Sequence, residues 1–159
     1  MFWDAERAIL ICADHLIAHI SSNPLLSRPL DGSTARRPQA LITYLRSLAL
    51  TRELPAEILL PGHGEPITDH AALIDERFAM HRRRAERLRL LIDERPRTAY
   101  ELAQEMWGNV AVTQAFLTLS EVVGHVDLLI EAGVVREVAD GGVVRFEATG
   151  RDAEVTIPP

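Results

Sequence analysis

At 159 residues, with 47% hydrophobic and 25% charged residues, the chain has the size and balance of one ordinary globular domain or two small ones. A net charge of −6 gives it no general attraction to nucleic acid or to an anionic membrane, and no apolar run reaches membrane-spanning length. All 17 basic residues are arginine, which we attribute to coding bias; the lone Cys12 excludes an intrachain disulfide and, with no signal-peptide pattern at the N-terminus, fits a cytoplasmic protein.

Met1-Phe2-Trp3 reads as the end of a strand, Asp4 to Arg7 as a turn, and Ala8 to Ala13 as a second strand of the fully buried kind, with Cys12 as a small hydrophobe. A chain that opens on the last residues of a hairpin strand leads us to expect sheet partners before Met1. Asp14 and His15 follow at the strand end. Ser21 to Pro24 and Pro29 to Ser33 carry loop chemistry. From Pro38 to Leu50, the residues Leu41, Tyr44, Leu45 and Leu48 have helical spacing, with Pro38 suited to the first turn. Glu57 to Leu60 is the next strand, and it runs into Pro61-Gly62-His63-Gly64. Glycine on both sides removes bulk and permits positive φ, so this turn can bring the imidazole close to a ligand or metal. The end of a strand is also where α/β architectures place chemistry. By spacing alone, His63 serves either a ligand or a tight turn.

Asp69 caps a long helix that runs to about Glu94. Ile74, Phe78, His81, Ala85, Leu88 and Ile92 form its apolar stripe, and Pro96 closes it. The arginines of His81 to Arg87 point in several directions around this helix, as on a solvated face. Thr98-Ala99-Tyr100-Glu101 is a capping box for a short helix that Gly108 ends. A further helix from Val112 to Glu131 carries Phe116, Leu119, Val123, Val126 and Ile130 on one stripe, and Gly133 stops it. Val134 to Val138 and Val143 to Phe146 read as strands of a hairpin around Asp140-Gly141-Gly142. Three helices and a hairpin make a winged-helix pattern, and Arg151 to Pro159 reads as a loosely ordered tail.

The chemistry falls on Asp14 and His63, a carboxylate and an imidazole that suit Zn, Mn or Fe. Two ligands hold an ion weakly. His15 and His19 are candidates for a further imidazole, or else surface loop; Asp14 is otherwise a turn or cap acceptor. His81 and His125 read as packing residues at the junction between the two parts, and Glu65 as solvated.

The order strand-Ala13-Asp14-His15, then the Tyr44-Leu45-Arg46-Ser47-Leu48 helix, then Leu60-Pro61-Gly62-His63-Gly64, then His81-Arg82 with Arg84-Ala85-Glu86, resembles the C-terminal half of metallo-β-lactamase-superfamily hydrolases. The resemblance runs from about Phe2 to Ala148. It is narrowest to the subgroup with a winged-helix-like C-terminal domain, which includes the β-lactamase-like protein 2 group. It implies an α/β (α+β) fold: part of a four-layer αββα sandwich over residues 1–78, a winged-helix-like domain over 79–150 and a tail over 151–159. In that family the Asp matching Asp14 bridges two metals, and the His matching His63 is a ligand of the second. The implied centre is dinuclear zinc, with Mn or Fe as alternatives. Its metal-bound hydroxide would attack an ester, thioester, amide or phosphodiester.

The departures are as informative. Ala13 replaces the glycine that often precedes the bridging Asp. None of the six histidines, at 15, 19, 63, 70, 81 and 125, forms the family's His-x-His-x-Asp-His motif. This chain alone is therefore expected to be catalytically incomplete and to leave apolar sheet surface uncovered, to be completed by a homodimer or by a missing N-terminal half. The substrates implied are a small-molecule ester or thioester, or RNA along a path of Arg82 to Arg89. The alternatives are an RNA-binding or endoribonuclease-related winged-helix module and an inactive structural remnant. Duplex DNA is disfavoured, since the 112–131 helix has no Arg or Lys and residues 79–159 hold 10 Arg against 13 Asp plus Glu.

Overall fold

The computed structural model describes residues 1–29 and 37–156, so most of the expected loop at Pro29 to Ser33 and the last three residues of the tail lie outside the described residues. The chain divides into two compact units, residues 1–22 with 44–80 and residues 23–43 with 81–157.

The first unit is built on a three-stranded sheet. Strand β1 (Phe2–Asp4) pairs antiparallel with β2 (Ile9–Ala13), which pairs parallel with β3 (Ile58–Pro61). Parallel neighbours need a crossover, and helix α1 (Ala40–Arg52) lies in it. Period-two alternation sends Leu10, Cys12 and Leu59 into the core, at 0–2% exposure, with Leu16, Leu45, Leu48 and Ile74. The opposite face is apolar and open. Phe2, Ile11 and Leu60 stand in register across the three strands, 77%, 50% and 36% exposed. This is the uncovered sheet surface expected from the sequence. The buried-strand reading of Ala8 to Ala13 therefore holds for one face only, because Ile11 and Ala13 are exposed.

Helix α2 (His70–Glu94) begins where Asp69 accepts from the Ala72 amide, and its expected stripe is buried at Ile74, His81, Ala85, Leu88 and Ile92. Its residues to Met80 lie in the first unit and the rest in the second. In the second unit, helix α3 (Ala99–Trp107) starts on the expected capping box of Thr98 and Glu101 and stops at Gly108, whose φ is +57°. The expected 112–131 helix is two elements, α4 (Val110–Thr113) and α5 (Ala115–Glu131). Its buried face also differs from the sequence reading. Phe116 is 57% exposed, whereas Thr118, Val122, His125, Val126 and Leu129 are buried. The expected stripe shares only Val126 with the buried face, which sets Val122, Leu128 and Leu129 beside the polar Thr118, Ser120, His125 and Asp127. Gly124 shows why: a Cβ there would lie 3.0 Å from Leu41 Cβ, so the approach of α1 selects the face that carries the glycine.

Strands β4 (Val135–Asp140) and β5 (Val143–Ala148) form a hairpin closed by Gly141 and Gly142, both at positive φ as a two-residue primed turn requires. Arg97 pairs with Phe146 through both backbone groups, and its 6%-exposed guanidinium reaches the Leu91 carbonyl, Glu94 and Glu105. One arginine thus ties the end of α2, α3 and the hairpin together. Asn23 and Leu26 bond to α5 through the Leu117 carbonyl and the Ser120 hydroxyl, and Arg37 forms a bidentate pair with the buried Asp127. These bonds account for residues 23–43 falling in the second unit. In the tail, residues 151–156 have no regular structure, yet Val155 is buried. No helix among the described residues is long and apolar enough to cross a membrane.

Candidate functional site

The parallel pair β2 and β3 carries Asp14 and His63 just beyond its C-terminal ends. A register shift between Ile11 and Ala13, followed by Ala13 at φ +48°, turns the chain so that Asp14 leaves the sheet toward the β3 loop. His63 Nε2 lies 3.7 Å from Asp14 Oδ1, and both side chains are open to solvent, at 77% and 68% exposure. Gly62 makes this approach possible. A Cβ at that position would stand 2.5 Å from Asp14 Oδ1, so any other residue there would push the Asp14 carboxylate out of its present place. Gly64, at φ +84°, takes up the left-handed turn on the other side of the imidazole.

The two further histidines separate in role. His15 is half-buried: its Nε2 lies 3.0 Å from Thr51 Oγ1, and its ring stands edge-on to Tyr44 at 5.5 Å. Burial holds its pKa below the usual histidine value. It braces the loop rather than facing Asp14. The Tyr44 hydroxyl donates to the His15 carbonyl, and Arg77 donates to the carbonyls of Ile17 and Ala18, so the backbone after β2 is clamped from two helices. His19 is exposed, and its ring lies 3.4 Å from where a Cβ on Gly64 would sit, beside the His63 turn.

Asp14 and His63 therefore converge as two donors of one open site. The observation that tests their fit to a metal is the Gly62 position: the carboxylate oxygen occupies the space a side chain would fill, aimed at the imidazole. Carboxylate oxygen and imidazole nitrogen together are a donor set for zinc or manganese. They would supply two corners of a coordination sphere. Among the described residues, no third His, Cys, Asp or Glu joins them closely enough to complete a set of three.

One cluster does reach three donors, and it lies elsewhere, in the second unit. His81 on α2 and His125 on α5 are each 1% exposed, with His81 Nδ1 3.0 Å from His125 Nε2. The His125 Nδ1–H donates to the Glu121 carbonyl at 2.7 Å, and the Glu121 carboxylate, 11% exposed, pairs with Arg84 at 2.6 Å. Burial lowers the His125 pKa, against the opposing pull of Glu121. The sequence reading placed both histidines in packing, and their burial agrees. What it missed was Glu121 beside them, although Glu121-x-x-x-His125 puts the two on one helix face.

No protein-family model matches the chain. It is 39% identical over 142 residues to the Probable metallo-hydrolase YqjP of Bacillus subtilis (strain 168), covering 89% of this chain and 44% of that protein. It superposes on the metallo-beta-lactamase family protein TTHA1429 of Thermus thermophilus with a TM-score of 0.73 at 28% identity, covering 92% of this chain and 44% of that one. A Beta-lactamase domain protein from Burkholderia ambifaria gives a TM-score of 0.74 at 28% identity over 89% of this chain and 41% of that one. The chain thus has the α+β structure of metallo-β-lactamase fold proteins, as its motifs suggested, and it spans less than half the length of these relatives.

Proposed function

We propose that this chain carries two ligands, Asp14 and His63, of a metal-dependent hydrolase centre that further donors complete. The observation that carries this reading is the 3.7 Å approach of His63 Nε2 to Asp14 Oδ1 beyond adjacent parallel strands, beside a glycine whose place any Cβ would contest with the carboxylate. The similarity to a metallo-hydrolase and to metallo-β-lactamase family structures supports it. A divalent ion there, zinc first and manganese or iron next, would supply Lewis acidity for hydrolysis of an ester, thioester or phosphodiester. The chain's own residues supply geometry: Asp14 and His63 hold two coordination positions, Gly62 and Gly64 set the imidazole against the carboxylate, and Arg77 and Tyr44 keep the Asp14 loop in place. With two donors the chain alone is catalytically incomplete.

Of the arginines on the alternative RNA path along α2, Arg84 is paired with Glu121 and Arg89 with Glu86 and Asp93, whereas Arg82, Arg83 and Arg87 are exposed.

The test is metal stoichiometry of the 159-residue chain after dialysis against a weak chelator, beside Asp14→Asn and His63→Asn. The expected result is a weakly held ion whose affinity falls at least about tenfold in either variant, with esterase and phosphodiesterase activity near background. A weak-binding component that neither substitution alters, apart from any ion held by the His81, Glu121 and His125 cluster, would overturn the assignment.

A further inference from the structure

The second unit holds a site that the hydrolase reading does not use. We propose that His81, Glu121 and His125 form a buried binding site for one zinc-class divalent cation, separate from Asp14 and His63.

The tautomers are set by hydrogen bonding. His125 Nδ1–H donates to the Glu121 carbonyl, so its Nε2 carries the lone pair and points at His81 Nδ1, 3.0 Å away. Binding the far ring nitrogen to a backbone carbonyl is how proteins orient a ligating imidazole. In a tetrahedral zinc site with Zn–N bonds of about 2.0–2.1 Å, two ligating nitrogens stand roughly 3.3 Å apart. The two nitrogens therefore need to part by a few tenths of an ångström, and each ring to tilt by roughly 35°, so that both lone pairs leave the line between the nitrogens and meet at the ion. When the ion enters, the His81 proton moves from Nδ1 to Nε2, the ring stays neutral, and both facing nitrogens become ligands.

Glu121 supplies the third donor. One ligand atom from each of the three residues lies within 4.8 Å of the other two. Arg84 holds Oε1 of the carboxylate at 2.6 Å, the same oxygen that lies 3.6 Å from His125 Nδ1, so ligation through Oε2 would need the carboxylate to turn about its bond to Arg84. The Arg84 charge opposes the cation, and its 33%-exposed side chain sits where solvent screens that repulsion. Arg84 and Glu121 line a cavity of about 220 Å³ with Trp107, Gln114 and Thr118, which opens the carboxylate end of the cluster to solvent. A charged ion in so apolar a setting is favoured only with its ligands converged, and two imidazoles and a carboxylate supply that.

The test uses the full chain carrying Asp14→Asn and His63→Asn, so that any tight binding arises elsewhere. Zinc is titrated in competition with a chromophoric chelator, and cobalt(II) is added as a spectroscopic stand-in. About one zinc per chain is expected, with the visible bands of four-coordinate cobalt bound through nitrogen and oxygen. Adding His125→Gln should weaken binding roughly 100-fold and Glu121→Gln about tenfold, with far-UV circular dichroism unchanged. If His125→Gln fails to fold, the partly exposed Glu121→Gln decides alone. Absence of retained zinc, or zinc whose affinity neither substitution lowers, overturns the site.

Discussion

Ala13 sits at φ +48°, in the left-handed region where a Cβ meets the following carbonyl. The sequence marked this residue only as a departure from a glycine usual in the family the chain resembles; the backbone shows what that glycine would do. Replacing Ala13 with Gly relieves the strain, and we expect a stabilisation of about 1 kcal/mol, read as a higher urea midpoint at unchanged slope. A lower midpoint would mean that the left-handed turn costs nothing there. Gly62 is the converse case, because a Cβ there would displace the Asp14 carboxylate from its place beside His63. Asp14 and His63 were legible as residues with the right chemistry at strand ends. Their 3.7 Å separation was not, since it depends on the strands being parallel neighbours.

Among the elements, α3 is the one whose start was written most plainly, and its capping box carries a charge that can be titrated. Glu101 accepts from the Thr98 amide at 2.8 Å and pairs with Arg95 at 3.0 Å and Arg145 at 3.2 Å. The Thr98 bond first, and then Arg95, hold its pKa down at about 2. A carboxylate whose folded pKa is depressed adds stability above its unfolded pKa and loses it as pH falls through the folded one. The contribution should be complete above about pH 5 and gone near pH 2. Because Glu101 is a third exposed, screening reduces it to about 1 kcal/mol. Glu101→Gln keeps the cap and removes the charge. Thermal melts of the two proteins should differ at pH 6 and converge toward pH 2; a gap constant with pH would assign the effect to capping alone. Helix α5 was less legible. Its 3.6-residue period has two candidate faces, and the approach of Leu41 to Gly124 selects the one that carries the glycine.

For the molecule as a whole, the open apolar face of the first sheet is the largest consequence of the fold. Rows of exposed apolar side chains such as Phe2, Ile11 and Leu60 drive association in water. We expect concentration-dependent self-association in sedimentation velocity, which Ile11→Thr with Leu60→Thr abolishes. Because both side chains are exposed, the unfolding free energy should change by less than about 1 kcal/mol. A wild-type chain that stays monomeric at all concentrations would contradict this.

The sequence by itself determined the local elements, because caps, turns and hydrophobic periods act over a few residues: the Thr98 box, the Gly141-Gly142 turn, the α2 stripe and the Asp14 and His63 strand ends. The order of those motifs also carried the likeness to metallo-β-lactamase proteins, since a sequence pattern records a fold even where only part of it is present. Tertiary structure alone decided which residues meet across long separations. It placed residues 23–43 with α5 through Asn23, Leu26 and Arg37, chose the buried face of α5, and set His81 against His125 with Glu121 beside them. Those pairings rest on packing and burial between distant segments, which no local pattern encodes.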